Sequence, residues 1–310
     1  MQPVSRQQEA GKSLHIIHYY AILNELIKHE SKIFILWRVN QMKKISTRLL
    51  AGVLLACTLF ILASCGGSGG NKLICGITDY EPMNYRDSSG KWTGFDTEFA
   101  LLVGEKLKMT VEFQEIEWGS KYQELEAGTI NCIWNGFTAN ATEKDTGKAR
   151  KDMVDFSYTY MLNQQCIVIK KDRAGEFKQA SDLTGKTAAA EKGSAGESYA
   201  ADLLGGSGKI IDASAQVNTF IEVKSGAVDF AVVDILLAQR LAGTGDYSDL
   251  AIADITLDSE LYAIGFKKGS NLVKKVNDAI LELDKSGELA ALAEKYGLTN
   301  SYIVSKDPVK

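Results

Sequence analysis

Hydrophobic and polar positions after residue 71 alternate between the period of strands and the period of helices. The run KLICGI (72–77) predicts a strand, and GFDTEFALLVGEKLKM predicts a helix that is capped by Asp96. TVEFQEI predicts the next strand, and SKYQELEAG predicts a helix that begins at Ser120 and ends at Gly128. Such alternation of strands and helices is typical of a parallel sheet covered by helices.

The same pattern recurs further along the chain. EAGTINCIWN (126–135) and KSGAVDFAVV (224–233) align without gaps, and each reads as a helix end, a glycine cap and a buried strand. Two similarly built α/β lobes are therefore predicted. Ligands of open α/β sheets bind beyond the carboxyl ends of the strands. This rule places Asn135 to Thr138 and Asp234 at a cleft between the lobes.

Composition narrows the function. A chain of 310 residues with 45% hydrophobic and 24% charged residues is long enough for two domains with buried cores. The net charge of −4 argues against a nucleic-acid partner, since phosphate binding relies on clustered Lys and Arg. All histidines (His15, His18 and His29) precede Met42. If translation begins at Met42, histidine-dependent nucleophiles and zinc sites are excluded.

Cysteine usage predicts neither a metal site nor a cofactor. Cys75, Cys132 and Cys166 lie in apolar runs without C-x-x-C spacing. Buried, unreactive thiols are the expected state. One bridge among them remains geometrically possible, and the odd count leaves at least one thiol free.

The segment MKKISTRLLAGVLLACTLFILASCGGSGG resembles a bacterial lipoprotein signal, with a basic start, an apolar stretch and a small-residue cleavage site before Cys65. The apolar stretch is short for a stop-transfer helix, which is the alternative. The resemblance implies a signal peptide at 42–64, a lipid on Cys65 and a flexible tether at 65–71. Residues 1–41 fit no targeting pattern, so we interpret them as a mis-annotated upstream extension.

Several blocks between residues 72 and 305 resemble the extracellular solute-binding proteins of family 3, the receptors of polar amino-acid ABC transporters. They include DYEPMNYRDSSGKWTGFDTEF, GSKYQELEAGTINCIWNGFT, SGAVDFAVVD and YAIGFKKGSNLVKKVNDAILELDKSGELAALAEKYG. The resemblance implies a two-lobed periplasmic-binding-protein type II fold, with mainly parallel sheets flanked by helices. Lobe 1 would comprise 72–162 and 260–310, and lobe 2 would comprise 163–259.

The resemblance also implies a role and partners. The protein would be a monomer without enzymatic activity, lipid-anchored outside the cytoplasm. It would capture a free amino acid and deliver it to the permease subunits of the transporter.

The ligand's two charged groups have matching positions in the family. Arg150 would bind the carboxylate, because its planar fork suits a bidentate contact. The loop ANATEKDTGKA before it is longer than is usual in the family, so Lys144 or Lys148 stays an alternative. Asp234 would bind the ammonium group; its other possible role is to cap the following helix.

The remaining positions surround the ligand. Asn135, Gly136 and Thr138 match the strand end that grips it, and Ser194 precedes a helix predicted from Glu197 whose N–H groups suit an anion. Three further positions match the wall of the site. Tyr80 and Trp118 would flank the side chain of the ligand, and Glu191 would select a positive charge on it. Trp134, by contrast, would belong to the core.

Two other classes of protein stay open. Some relatives on this fold are dehydratases, and here the general acid or base would have to be Glu191, Asp234 or a lysine. A sensory module is normally fused to membrane helices and an output domain, and the sequence shows no such pattern. The pattern leaves the identity of the amino acid open, because side-chain selectivity depends on pocket shape at the ångström scale.

Overall fold

The computed structural model of the protein describes residues 71–306. The predicted extension (1–41), signal peptide (42–64) and lipid-bearing Cys65 lie outside the described residues. Within the described range, no helix has both the length and the hydropathy that crossing a membrane requires.

The chain forms strands β1 (Lys72–Ile77), β2 (Tyr85–Arg86), β3 (Trp92–Thr93), β4 (Thr110–Glu115), β5 (Cys132–Ile133), β6 (Asp155–Phe156), β7 (Thr159–Lys170), β8 (Thr187–Glu191), β9 (Lys209–Ala213), β10 (Phe230–Asp234), β11 (Leu250–Ile252), β12 (Ser259–Tyr262), β13 (Gly265–Phe266) and β14 (Tyr302–Ser305). Its α-helices are α1 (Phe95–Leu107), α2 (Lys121–Ala127), α3 (Arg150–Met153), α4 (Ala195–Leu204), α5 (Gln216–Ser225), α6 (Ile235–Leu241), α7 (Leu272–Ser286) and α8 (Glu288–Lys295).

Two sheets organise the structure. The first has the order β4-β1-β5-β13-β6, and α1, α7 and α8 pack together beside it; we call this unit lobe 1. The second has the order β11-β7-β10-β8-β9, with α4 and α5 packed on it; we call this unit lobe 2. In both sheets the strands that alternate with helices run parallel, as predicted, and the antiparallel pairs involve β7 and the later returning strands.

The long strand β7 connects the lobes. Its first half pairs antiparallel with β12, and its second half pairs antiparallel with β10 and β11 of lobe 2. The chain therefore leaves lobe 1 along β7 and returns along β12. The predicted lobe boundaries, at 162/163 and 259/260, fall on these two strands and stay a prediction.

The repeated pattern that was predicted from the sequence is present in both lobes. In lobe 1, α2 ends at Gly128 before β5, and in lobe 2, α5 ends at Gly226 before β10. In each case a buried strand follows the glycine, as the aligned segments indicated.

Helix starts were predicted less well. Asp96 does not cap α1, which begins at Phe95 after Gly94; the Asp96 carboxylate instead accepts a hydrogen bond from the N–H of Gly136, at 2.8 Å. Helix α4 begins at Ala195, two residues before the predicted Glu197. The two errors differ in cause: a long-range contact claims the Asp96 side chain, whereas α4 has a local cap at Ser194 and simply starts earlier than predicted.

Within the described residues, the cysteines are Cys75, Cys132 and Cys166, and all three are buried free thiols, as predicted. Cys75 and Cys132 are paired residues of the neighbouring strands β1 and β5, and their sulfur atoms lie 3.7 Å apart. Cys166 lies on β7.

Candidate functional site

The register of β7 brings two acids to one place. Asn163 is the pairing partner of Glu260 on β12, and Gln165 is the pairing partner of Asp234 on β10. Residues two apart on a strand face the same side. The two carboxylates therefore converge over one face of the strand that joins the lobes.

Asp234 lies at the end of β10 and is buried. Its carboxylate accepts hydrogen bonds from the side-chain amides of Asn163 and Gln165, each at 2.6 Å, and from Gln216. Its side chain makes no capping bond to α6, so the helix-cap alternative is not supported. Burial raises the pKa of Asp234, and the hydrogen bonds oppose that rise by stabilising the carboxylate.

Glu260 was not among the predicted site residues. Its Oε2 accepts from Asn163 at 2.7 Å, from Gln165 at 3.0 Å and from the hydroxyl of Thr138 at 3.3 Å. Burial, followed by the charge of Asp234, raises the pKa of Glu260 to about 7. The sequence did contain a signal for Glu260: it and Tyr262 are two residues apart in a strand and therefore share one face. The pair lies at the predicted lobe boundary.

Glu191 is the last residue of β8 and is buried in lobe 2. Burial is the main reason that the pKa of Glu191 rises to about 8, and the charge of Asp234 adds to it. Lys121 and Arg150 act in the opposite direction. The site thus contains three buried carboxyl groups, from Glu191, Asp234 and Glu260.

Arg150 lies at the start of α3 with a side chain that is 1% exposed. Its guanidinium contacts the Glu143 carboxylate at 2.7 Å and donates to the carbonyls of Thr138 at 3.1 Å and Gly193 at 3.2 Å. A guanidinium group has more N–H groups than these acceptors use. Arg150 can therefore still present a fork to a ligand carboxylate.

The two alternative lysines are less buried than Arg150. Lys144 is paired with Asp145 at 3.1 Å and with Glu197 at 3.0 Å, and its side chain is 33% exposed. Lys148 is exposed. Of the three cations considered from the sequence, only Arg150 is buried.

A second buried cation, Lys121, was missed. Its ammonium donates to the carbonyl of Gly193 at 2.8 Å and lies 3.6 Å from the Glu143 carboxylate. Burial lowers the pKa of Lys121 to about 8, and Arg150 contributes to the same shift. The sequence gave little reason to predict a buried lysine here, because lysines on helices are usually exposed. Its position three residues after the predicted ligand contact Trp118 was the available signal.

The lobes meet at Gly193. Its carbonyl accepts from both Lys121 and Arg150 of lobe 1, and a Cβ on Gly193 would lie 3.0 Å from the Cα of Gly119. Its φ of +73° is also one that a side chain would strain. The lobes are therefore closed over the cleft at a point where only glycine fits.

The strand end at 135–138 has mixed roles. The side-chain amide of Asn135 is bonded to Thr78 within lobe 1, through Oδ1 at 2.7 Å and Nδ2 at 3.0 Å. A Cβ on Gly136 would lie 2.7 Å from the ring of Tyr80, so glycine permits close approach here. Thr138 reaches Glu260 through its hydroxyl. Of this group, the Asn135 side chain supports the strand end, and Thr138 faces the buried acids.

The predicted aromatic residues also have different environments. The hydroxyl groups of Tyr80 and Tyr262 lie 2.8 Å apart. Trp118 packs edge-on against Phe137, with ring centroids 5.6 Å apart, and lies beside Lys121. Trp134 packs in the core of lobe 1, as predicted.

Ser194 is the N-cap residue of α4, and its hydroxyl accepts from the N–H of Glu197 at 3.0 Å. The hydroxyl is therefore used within lobe 2. The first N–H groups of a helix have no acceptor inside the helix, which leaves those of Ala195 and Gly196 suited to an anion.

Two acid-lined cavities adjoin this region. One, of about 690 Å³, is lined on lobe 1 by residues that include Asp79, Glu115, Glu117 and Glu124, and on lobe 2 by Ser214, Ala215, Val217 and Asn218. The other, of about 240 Å³, is lined by Thr138, Tyr199, Asp202, Asp258 and Glu260. Neither lining contains a basic residue. In the part of the chain that the structure describes, no group of His, Cys, Asp and Glu is arranged to hold a metal ion.

The sequence was also compared with known families. Residues 73–299 match the bacterial extracellular solute-binding proteins, family 3. The chain belongs to this family. Among curated relatives of this solute-binding protein, the arginine-binding extracellular protein ArtP of Bacillus subtilis (strain 168) is 30% identical over 250 residues, which cover 78% of this chain and 94% of ArtP.

Solved structures agree with the family. An ancestral arginine-binding protein bound to arginine has a TM-score of 0.67 at 30% identity, covering 73% of this solute-binding protein and 98% of the ancestral chain. An ancestral amino-acid-binding protein that is a precursor of cyclohexadienyl dehydratase has a TM-score of 0.64 at 30% identity, covering 73% and 95% of the two chains. The predicted type II binding-protein fold is confirmed.

Proposed function

We propose that the protein is the extracytoplasmic receptor of an ABC transporter and that it binds an amino acid with a positively charged side chain between its lobes. The main support for a positively charged ligand side chain is the group of buried carboxyl groups from Glu191, Asp234 and Glu260. The arginine-binding relatives support the same choice.

The hydrogen-bond inventory supports a cationic ligand. Among residues 71–306, four buried oxygens of the site have no donor: Asn163 Oδ1, Gln165 Oε1, Glu191 Oε1 and Glu260 Oε1. All are acceptors when the carboxyl groups are ionised. Buried polar atoms are almost always hydrogen-bonded in native proteins, and ammonium and guanidinium groups are pure donors. A ligand rich in N–H groups would satisfy them.

The proposed arrangement assigns one task to each part of the site. The ligand carboxylate would lie against the fork of Arg150 and the N–H groups at the start of α4, near Ser194. Its ammonium group would lie at Asp234, with Thr138 and the backbone at Asn135 and Gly136 beside it. Rings of Tyr80 and Trp118 would flank the side chain, whose positive end would reach Glu191.

We further propose that the protein is not an enzyme, although a structural relative is a precursor of a dehydratase. A buried Glu191 with a raised pKa is a suitable general acid. A binding site for a cation would show the same raised pKa when it is closed and empty, because burial alone raises the pKa of a carboxyl group. Turnover of an amino acid by the purified protein would contradict this proposal.

A thermal-shift panel of the twenty amino acids tests the ligand class. A ligand at a hundred times its Kd stabilises the native state by about 2.7 kcal/mol. We expect L-arginine or L-lysine to give the largest shift. In Glu191→Gln, the difference in affinity between L-arginine and L-glutamine should shrink by about 1 to 3 kcal/mol, as for a lost charge-assisted hydrogen bond. Glu176→Gln, which removes an exposed acid of lobe 2, is the control. Tight binding of an acidic or wholly apolar amino acid would contradict the assignment.

Lipid anchoring through Cys65 is a separate proposal, which the signal-like segment at 42–65 supports. We expect the cellular protein to begin at Cys65 and to partition into detergent, and Cys65→Ala to move it to the aqueous phase. Phase partitioning and intact mass measure both properties. An intact mass that includes residues 1–41 would contradict both the predicted start at Met42 and the predicted cleavage before Cys65.

A further inference from the structure

We propose that Glu260 is a ligand-binding residue: it shares the α-ammonium group of the bound amino acid with Asp234, as a second carboxylate supplied by the strand that returns from lobe 2. This inference rests on the proposed amino-acid ligand and adds a residue to its binding site. The family resemblance assigns no role to this position.

The first support is the shared donors. The amide nitrogen of Asn163 lies 2.6 Å from Asp234 Oδ1 and 2.7 Å from Glu260 Oε2. The amide nitrogen of Gln165 lies 2.6 Å and 3.0 Å from the same two oxygens. The two carboxylates are thus held side by side, and a small cation beside one of them is beside both.

The second support is the free oxygen of Glu260. In the described range, Oε1 has no hydrogen-bond partner although the residue is only 2% exposed, whereas Oε2 accepts from three side chains. An ammonium group has several N–H donors, so it would satisfy this oxygen and Asp234 together.

The third support is the location. Glu260 lines the cavity of about 240 Å³, together with Thr138 and Ala195. Thr138 is a predicted ligand contact and donates to Glu260, and Ala195 opens α4, where we place the ligand carboxylate. The α-ammonium and the carboxylate of an amino acid are attached to one carbon atom. A residue between the two proposed subsites is therefore positioned to meet the ammonium group.

The surrounding charges favour a cation here. Asp234 faces Glu260 from β10, and Tyr199 of α4 faces it from lobe 2. Asp258 on the same segment is exposed, so water screens its charge. The nearby cation is Arg150, whose charge lowers the pKa of Glu260 but whose guanidinium is bonded to Glu143. Burial and the charge of Asp234 outweigh Arg150 in their effect on this pKa. When both acids are ionised, the pair carries two negative charges, and no ion pair among the described residues neutralises them.

The test compares Glu260→Gln with the wild type for two ligands that differ only in the α-amino group. The probes are L-arginine and δ-guanidinovaleric acid, with L-glutamine and glutaramic acid as the neutral pair, measured by calorimetry and, for weak binding, by NMR titration. The substituted amide keeps the shape of the side chain but removes its negative charge and replaces one acceptor oxygen with an NH2 donor. The control Asp258→Asn removes an exposed acid from the same cavity. Glu260→Asp retains the charge and serves as the second variant, and melting curves check folding.

We expect Glu260→Gln to weaken binding of the amino acids about ten- to hundredfold, as for a charge-assisted contact. Binding of the analogues without the amino group should change less than threefold, and Asp258→Asn should leave all affinities unchanged. Equal losses for both members of a probe pair would show that Glu260 supports the connection between the lobes and does not contact the ligand. Unchanged affinities would show that Glu260 has only a structural role. If the wild type binds L-glutamine but not L-arginine, the proposal of a positively charged ligand side chain fails. The comparison of L-glutamine with glutaramic acid then still decides the role of Glu260. If the wild type binds no amino acid of the panel, the proposed function fails.

Discussion

Asp234→Ala is expected to weaken amino-acid binding by about 2 to 5 kcal/mol, a loss of tens- to thousandsfold in affinity, because it leaves a buried ligand ammonium without its main partner. Asp234 is 4% exposed and accepts from Asn163, Gln165 and Gln216, so its carboxyl group is held in position for the ammonium group. Calorimetry with the best ligand of the panel measures the loss.

Stability of the unliganded protein separates this role from packing. Burial raises the folded-state pKa of Asp234, so the native state holds its proton more tightly than the unfolded chain does. Stability from this group is therefore lost as the pH rises from its ordinary value through the raised one. Asp234→Asn should consequently melt no lower than the wild type at neutral pH. Asp229→Asn, at a structural acid that accepts from Thr187 and pairs with Arg173, is the control and should melt lower. If the Asp234 variants bind normally and melt early, Asp234 is a structural acid.

Arg150→Gln is expected to reduce affinity by about 2 to 5 kcal/mol, since it removes the fork for the ligand carboxylate and leaves Glu143 with Lys121 at 3.6 Å as its remaining cation. Arg150→Lys should recover only part of the loss, because an ammonium group cannot make the bidentate contact. The measurement is again calorimetry, with melting curves to check folding.

Controls for Arg150 are available on the same chain. Arg173→Gln removes an arginine that is paired with Glu176 and Asp229 at the surface of lobe 2, and it should leave affinity unchanged. Lys144→Gln and Lys148→Gln test the two alternatives from the sequence. A larger loss in either lysine variant than in Arg150→Gln would transfer the carboxylate site to that lysine.

The sequence by itself determined the fold class, because local patterns carry it. Strand β1 and the two helix–glycine–strand repeats at 126–135 and 224–233 follow from hydrophobic period and glycine position, which depend on neighbours in the chain. Family blocks added the two-lobed arrangement. The predicted candidates Arg150, Glu191 and Asp234 are all buried at the closed cleft.

Only the tertiary structure decided which polar groups meet. Glu260 and Asp234 share donors because β7 pairs with β12 and β10 in one register, and pairing between strands about 70 and 100 residues apart leaves no local mark. Lys121 is buried where the carbonyl of Gly193 in the other lobe accepts a hydrogen bond from its ammonium group. Asp96 holds Gly136 instead of capping its own helix. In each case a long-range contact outweighed the local preference, since a buried polar group must find a partner wherever the fold supplies one.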